Sequence, residues 1–177
     1  MIQHLLRPAL FIDRDGTLIK EVDHCCDPAD VSVYPGASEE LARARALGWA
    51  IIIITNQSGI GRGYFTVDQF HAVQEEVYRQ LGVPVDGVYM SPDLPNSDSL
   101  RRKPAPGMIF EAAEEHSIDL ARSFMIGDKQ IDIECGENAG VRTILVETGY
   151  GRDFSNCHPH FRTPTIKEAI QTALSNA

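Results

Sequence analysis

A short apolar run that stops at two aspartates largely determines how this chain can fold. Residues Ala9 to Ile12 are all apolar, which is typical of a strand buried on both faces of a parallel sheet. Asp13 and Asp15 follow directly, and carboxylates cannot continue inside such a sheet. Gly16 then allows the chain to turn away sharply. We therefore expect both carboxylates at the carboxyl edge of the sheet, where α/β proteins bind their ligands.

The rest of the chain alternates further apolar runs with segments of helical pattern. Four more strands are predicted at residues 49–54, 85–90, 123–127 and 141–146. Helices are predicted at residues 35–48, 66–81, 106–116, 133–139 and 165–173, with a glycine-rich loop at 59–65 and irregular chain from 148 to 164. This alternation predicts the α/β class, with a three-layer, doubly wound, Rossmann-like parallel sheet in a single domain over residues 1–177.

Composition limits the classes of partner. The chain has 25 acidic and 16 basic residues and a net charge of −9, which argues against nucleic acid as a partner. No apolar run approaches the roughly 18 residues of a membrane span, and the N-terminus lacks a signal-peptide pattern. The four cysteines show no C-x-x-C spacing and match no usual zinc pattern. We therefore expect reduced thiols in a cytoplasmic protein that is a monomer and has no membrane partner.

Polar residues follow three of the predicted strands, and their positions point to a phosphate site. Thr55 follows the second strand and Asp128 the fourth, so both are expected at the same sheet edge as Asp13 and Asp15. An acidic cluster alone would also fit a strained turn, but Lys103 arrives from a loop and would offset the charge of a phosphoryl group. These residue types suit Mg²⁺-assisted phosphoryl transfer, in which one aspartate attacks phosphorus and another moves a proton.

Four motifs resemble those of the haloacid dehalogenase superfamily of phosphatases. They are Asp13-Arg14-Asp15-Gly16-Thr17, then Thr55, then Lys103, and finally Gly127-Asp128-Lys129 with Asp132. The resemblance implies that Asp13 forms an aspartyl-phosphate, while Asp15 protonates the leaving oxygen and then activates water. It also implies a Mg²⁺ ion held by Asp13, Asp128 and the backbone carbonyl of Asp15. Thr55 and Lys103 would steady the transferred phosphoryl group.

Within this superfamily, the chain is similar to the capless heptose bisphosphate 7-phosphatases and their histidinol-phosphate phosphatase relatives. Residues 11–17, 55–63 and 102–104 carry this likeness, and neither stretch between the motifs has room for a cap domain. The resemblance implies a substrate pocket lined by nine further residues: Glu21, Val22, Asp23, His24, Asn56, Gln57, Ser58, Arg102 and Lys129. Arg102 would bind the phosphate that is not removed, since arginine pairs bidentately with phosphate, although an ordinary surface arginine would look the same in sequence.

One segment departs from the pattern of these relatives. They usually carry a zinc loop, with C-x-H ahead of the third motif and C-x-C just before its Arg-Lys pair. Here the matching residues 91–93 and 99–101 are Ser-Pro-Asp and Ser-Leu-Arg, which offer no thiolate or imidazole. We therefore expect no structural zinc, and a loop that is held by prolines and packing or is shorter and more mobile.

Four functions stay open at this point. The leading one is a Mg²⁺-dependent phosphatase of a sugar bisphosphate, a small phosphorylated metabolite of lipopolysaccharide or other glycan synthesis. A histidinol-phosphate phosphatase would need acids for the substrate's ammonium group, and Glu21 and Asp23 leave that open. A nucleic-acid 3′-phosphatase fits the Thr55-Asn56-Gln57 segment but not the net charge. A catalytically silent phosphosugar-binding module is disfavoured, because a pure binder needs no paired nucleophile and acid.

Overall fold

The computed structural model describes residues 6–177 and contains one parallel sheet of six strands in the order β3-β2-β1-β4-β5-β6. The strands are β1 Ala9–Ile12, β2 Ala50–Asn56, β3 Gly87–Ser91, β4 Phe124–Gly127, β5 Arg142–Val146 and β6 Phe161–Thr163. β1 pairs with β2 on one side and with β4 on the other. The carboxyl ends of these three strands therefore meet at a topological switch point, where α/β sheets bind ligands.

Residues 6–177 contain six α-helices, of which the first five lie between strands and the sixth follows β6. They are α1 Ala37–Ala46, α2 Ser58–Gly61, α3 Val67–Leu81, α4 Gly107–His116, α5 Gln130–Ala139 and α6 Ile166–Ser175. The predicted capping box is present at the start of α3, where Thr66 and Gln69 each bind the other's backbone N–H through their side chains. Within residues 6–177, no helix combines the length and the apolar composition that a membrane span requires.

The helices cover both faces of the sheet. Leu10 and Ile12 of β1 lie in the core on one face, together with residues of α1, α3 and α6. Ala9 and Phe11 lie on the other face, together with residues of α4 and α5. Every residue of β1 is buried, as a continuous apolar run predicts for a central parallel strand. Polar side chains therefore follow β1 only where the strand ends, at Asp13.

The predicted α/β class and capless core are confirmed, and all five predicted strands are present. The sequence pattern does not predict β6, because its three residues show no clear alternation, and it forms by pairing with β5 at the edge of the sheet. Ser58–Gly61 forms the short helix α2 where the chain was expected to begin a glycine-rich loop. β3 begins at Gly87, two residues later than predicted.

Asp86 ties the beginning of β2 to the chain that enters β3. Its carboxylate accepts hydrogen bonds from the Ile51 N–H at 2.9 Å and from the Arg45 and Arg7 guanidinium groups at 2.9 Å and 3.1 Å. Burial opposes ionisation of this carboxylate, but the Ile51 N–H and the two arginines outweigh it and lower the pKa of Asp86 below its ordinary value. The ionised form is therefore part of the folded structure at neutral pH.

We expect Asp86→Asn to lower the free energy of unfolding by about 2 kcal/mol at pH 7, because hydrogen bonds from charged donors to a carboxylate are lost. A lowered folded-state pKa stabilises the protein above the unfolded value of about 3.9, and this contribution disappears as the pH falls through the folded value. The loss should therefore be smaller at pH 3 than at pH 7. Urea unfolding at both pH values tests this, with the exposed Asp98→Asn as control, and equal losses would contradict it.

Candidate active site

A buried ion pair lies at the carboxyl ends of β1 and β2. Asp13 follows β1 and is 6% exposed, and Lys103 is 2% exposed. The Lys103 ammonium donates to Asp13 Oδ1 and to Asp132 Oδ1, both at 2.6 Å, and to the carbonyl oxygen of Ile54 at 3.0 Å. Burial alone would favour a neutral lysine, but Asp13 and Asp132 outweigh it and raise the pKa of Lys103. The lysine is therefore charged and fixed beside the aspartate.

Three carboxylates crowd together at this position. Oxygen atoms of Asp13, Asp128 and Asp132 all lie within 4.8 Å of one another, and all three residues are buried. Burial, followed by the charges of Asp13 and Asp132, raises the pKa of Asp128 to about 8. One lysine does not balance three buried carboxylates. A hard divalent cation would do so, and carboxylate oxygens are the ligands that Mg²⁺ prefers, so this donor set fits the ion.

The carboxylate cluster contains one residue, Asp132, to which the sequence assigns no metal role. Asp132 provides the third carboxylate, whereas the carboxylate of Asp15 is held elsewhere by hydrogen bonds. No metal role for Asp132 is predicted from the sequence, although it belongs to the fourth motif. Its Oδ2 accepts the backbone N–H of Lys129 at 3.0 Å, which directs the first turn of α5 toward the cluster. The expected role of the Asp15 backbone carbonyl stays a prediction.

The Asp15 carboxylate is held at the wall of the pocket by two neighbours. Arg14 is fully buried and donates to Asp15 Oδ1 and Oδ2, both at 3.1 Å. Its guanidinium lies 5.1 Å from the centre of the Phe70 ring, so α3 fixes the arginine from behind. Gln57 donates to Asp15 Oδ2 at 2.8 Å and to Thr55 Oγ1 at 2.9 Å. Asp15 and Thr55 are therefore held by one side chain.

Two glycines leave the space that Asp128 occupies. Gly16 has φ +87°, and a Cβ atom there would lie 2.3 Å from Asp128 Oδ2. Gly149 has φ +54°, and its Cβ would lie 2.2 Å from the same oxygen. That oxygen instead accepts the backbone N–H of Tyr150 at 2.9 Å. Both glycines are thus required for space as well as for left-handed backbone, which few other residues adopt.

A pocket of about 430 Å³ opens above these groups. Asp15 and all nine residues predicted for the substrate pocket line it. Four further residues of the wall are not predicted from the sequence: Cys25, Ile131, Tyr150 and Phe154. Tyr150 and Phe154 belong to the segment predicted to be irregular, which contains no motif. The structure thus brings the predicted residues together around one pocket, while their binding roles stay a prediction.

Lys129, Arg102 and the half-buried Glu21 contribute to the charge pattern of the pocket. The ammonium group of Lys129 lies 4.7 Å from the centre of the Tyr150 ring and 3.7 Å from Glu21 Oε2. Burial raises the pKa of Glu21. The Arg102 guanidinium donates to the carbonyl oxygen of Asp93 at 2.8 Å. Arg102 and Lys129 are thus both available to bind an anionic group.

Asn56 contacts the backbone of Lys103. Its Oδ1 accepts the Lys103 N–H at 3.0 Å, and its Nδ2 donates to the Lys103 carbonyl oxygen at 3.1 Å. Both ends of the amide are therefore engaged with Lys103, although Asn56 also lines the pocket. Asn56 therefore suits a role in positioning Lys103, because its amide is not free to bind a ligand.

The loop at residues 91–101, where the sequence departs from the expected zinc-loop pattern, is held by hydrogen bonds. Residues 91, 93, 99 and 101 of this loop supply no thiolate. The four cysteines of the chain are all unpaired and lie outside the loop. Asp93 accepts the hydroxyl groups of Ser91 and Ser99, and these hydrogen bonds are not predicted from the sequence. The expected contribution of prolines and packing stays a prediction.

Known proteins resemble this chain in both sequence and structure. Residues 100–169 match the family model described as "HAD-hyrolase-like". The chain is 38% identical to a D-glycero-D-manno-heptose-1,7-bisphosphate 7-phosphatase of Thermosynechococcus vestitus, over 95% of this chain and 94% of that protein. It is 41% identical to a D-glycero-beta-D-manno-heptose-1,7-bisphosphate 7-phosphatase of Helicobacter pylori strain J99, over 92% and 94%. The crystal structure of D,D-heptose 1,7-bisphosphate phosphatase from B. bronchiseptica, complexed with magnesium and phosphate, superimposes with a TM-score of 0.87 at 29% identity, covering 96% of this chain and 99% of that one.

Proposed function

Because this chain belongs to the D-glycero-D-manno-heptose-1,7-bisphosphate 7-phosphatase family of haloacid dehalogenase-like hydrolases, we propose that it removes the 7-phosphate of D-glycero-D-manno-heptose 1,7-bisphosphate. The observation that carries the proposal is the buried Asp13–Lys103 pair beside Asp128, below a pocket that presents Arg102 and Lys129. A nucleophile with a fixed cation suits attack on phosphorus, and further cations suit a substrate with a second phosphate.

In the proposed reaction, Asp13 attacks the phosphorus atom and the bond from phosphorus to the C7 oxygen breaks. Asp15 gives its proton to that oxygen, so the sugar leaves as an alcohol and the phosphoryl group remains on Asp13. Asp15 then takes a proton from water, which attacks the aspartyl-phosphate and releases inorganic phosphate and free Asp13. Lys103 offsets the negative charge of the phosphoryl group in both steps. The Thr55 hydroxyl oxygen accepts a hydrogen bond from Gln57, and the hydroxyl itself donates to the phosphoryl group.

Asp13, Asp128 and the backbone carbonyl of Asp15 would hold Mg²⁺, with Asp132 close by. When bound, the ion polarises the phosphoryl oxygens and neutralises charge that develops between phosphate and carboxylate. The crowding of three buried carboxylates around one lysine supports a divalent ion in this position. No zinc site is proposed for the loop.

Histidinol phosphate is the second candidate substrate, and one contact disfavours it. Its ammonium group would need a free carboxylate, and although the exposed Asp23 also lines the pocket, the better enclosed Glu21 carboxylate already lies 3.7 Å from the Lys129 ammonium. A positive substrate group would therefore compete with a resident lysine. A phosphorylated sugar places no cation there. The free cysteines support a cytoplasmic location, and a monomeric state is part of the same proposal.

A phosphatase screen with Mg²⁺ tests the proposed function. The panel contains both anomers of the heptose bisphosphate, the heptose 7-phosphate, histidinol phosphate and a 3′-phosphorylated oligonucleotide. We expect the highest kcat/KM for a heptose bisphosphate, loss of activity in EDTA and recovery on addition of Mg²⁺. A higher kcat/KM for histidinol phosphate, or no turnover of any sugar phosphate, would overturn the proposal.

Arg102→Ala is expected to raise KM for the heptose bisphosphate about tenfold or more, because a charged hydrogen bond to the retained phosphate is lost. KM for the heptose 7-phosphate should change less than twofold, since that substrate has no second phosphate. Steady-state kinetics on both substrates measures the difference. The matched control is Arg101→Ala, because the neighbouring Arg101 pairs with Glu111 on α4 and does not line the pocket. Equal changes on both substrates would show that Arg102 makes no contact with the second phosphate.

A further inference from the structure

Asp93 is the centre of a hydrogen-bonded cluster in the loop after β3. Its Oδ2 accepts the hydroxyl of Ser91 at 2.8 Å and the hydroxyl of Ser99 at 2.5 Å. The backbone N–H of Asp93 donates to the Ser91 hydroxyl oxygen at 3.3 Å. Ser91 is the last residue of β3 and is fully buried, so the cluster is attached to the sheet. One carboxylate thus joins the two ends of the segment from Ser91 to Ser99, whose residues 94–98 are exposed.

The same cluster fixes Arg102 at two points. The Ser99 hydroxyl oxygen, held by Asp93, accepts the backbone N–H groups of Arg101 and Arg102 at 3.2 Å and 3.1 Å. The Arg102 guanidinium donates to the backbone carbonyl of Asp93 at 2.8 Å. Ser99 therefore holds the backbone of Arg102, and Asp93 holds its side chain. Arg102 lines the pocket and Asp93 does not, so Asp93 can influence a ligand only through Arg102.

We propose that Asp93 is a positioning residue for substrate specificity, which holds Arg102 in the orientation that binds the retained phosphate of a sugar bisphosphate. This inference rests on the proposed function for the identity of the ligand, but not for the arrangement of the cluster. Hydrogen bonds from Ser99 and Ser91 lower the pKa of Asp93, so its carboxylate is ionised and accepts both hydroxyls at neutral pH. An arginine that is free to rotate would lose conformational freedom on binding, and a fixed one does not, which favours binding of the second phosphate.

Kinetics of three variants test the proposal. Asp93→Ala removes the acceptor, Ser99→Ala removes the link to the backbone, and Asp98→Asn is the control, an exposed aspartate of the same loop. For Asp93→Ala and Ser99→Ala we expect KM for the heptose bisphosphate to rise about five- to tenfold, with kcat and the kinetics of the 7-phosphate within twofold of wild type. The control should match the wild type on both substrates.

A double-mutant cycle separates positioning from an independent effect. If Asp93 acts through Arg102, then Asp93→Ala adds nothing to KM once Arg102→Ala is present. Additive increases, or an unchanged KM in Asp93→Ala, would overturn the proposal. Asp93→Leu, which is similar in size and has no acceptor oxygen for the two serine hydroxyls, is the substitute if the alanine variant does not fold.

Hydrogen exchange of the Arg101 and Arg102 amides gives a readout that needs no substrate. We expect exchange about tenfold faster in Asp93→Ala and Ser99→Ala than in wild type, and unchanged exchange in Asp98→Asn, because the amides lose a held acceptor. Unchanged exchange in all variants would overturn the positioning role. If wild type hydrolyses no sugar bisphosphate while exchange responds as expected, the proposed function fails and the cluster's hold on Arg102 stands.

Discussion

An Asp13→Asn variant is expected to lose kcat by about 10⁴-fold or more, because an amide cannot form the covalent phosphoryl intermediate. The variant should fold, since asparagine has nearly the same shape as aspartate. In the structure Lys103 donates to Asp13 Oδ1 at 2.6 Å, and the amide oxygen of asparagine can accept the same hydrogen bond. Removing one of three crowded carboxylates also relieves repulsion within the cluster. The loss should therefore appear in the chemical step and not in the free energy of unfolding.

Acid quenching with a radiolabelled sugar bisphosphate distinguishes this role from direct attack by water. Wild-type protein stopped during turnover should carry covalent phosphate, and Asp13→Asn should carry none. Asp98→Asn is the control, because it makes the same chemical change on the exposed loop. Circular dichroism and thermal unfolding establish that each variant is folded. Activity of Asp13→Asn within tenfold of wild type, or a labelled Asp13→Asn protein, would remove Asp13 as the nucleophile.

Local pattern was sufficient to predict most of the fold. Each of the five predicted strands is an apolar run whose burial on both faces leaves few alternatives, as for the isoleucines at 51–54. β6 could not be predicted, because Phe161–Thr163 is stabilised from outside the segment. It pairs with β5, and Arg162 donates to the carbonyl oxygens of Gly151 and Phe154. Such contacts between distant residues leave no periodicity in the sequence.

The candidate site was predictable where its residues end strands. Asp13 and Asp128 follow β1 and β4, and Thr55 lies near the end of β2, so topology alone brings them to a common edge. Asp132 lies in the first turn of α5, and only the direction of that helix brings its carboxylate to Lys103. Tyr150 reaches the pocket from irregular chain, where no pattern specifies direction. The roles of these residues still await the experiments above.

Lys103→Met is expected to abolish activity and also to lower the free energy of unfolding by about 3–5 kcal/mol, because it leaves two buried carboxylates without their cation. Asp13 Oδ1 and Asp132 Oδ1 each receive a hydrogen bond of 2.6 Å from Lys103, which is 2% exposed. Methionine is similar in length to lysine, so the change removes charge and leaves little void. Urea unfolding in EDTA measures the effect of the ion pairs without a contribution from metal. Lys167→Met, at an exposed lysine, is the control and should change stability by less than about 0.5 kcal/mol.

The double variant Lys103→Met/Asp132→Asn separates the two consequences of losing the lysine. Removing the Asp132 charge should restore about 2 kcal/mol of the lost stability, since one unpaired carboxylate is less costly than two. Activity should stay lost, because no cation then offsets the charge of the phosphoryl group at Asp13. If the free energy of unfolding of Lys103→Met lies within about 1 kcal/mol of the wild-type value, the buried carboxylates do not need Lys103 for stability. If the double variant regains activity, the lysine serves only to balance Asp132, and Thr55 and the metal alone would have to bear the charge of the transferred phosphate.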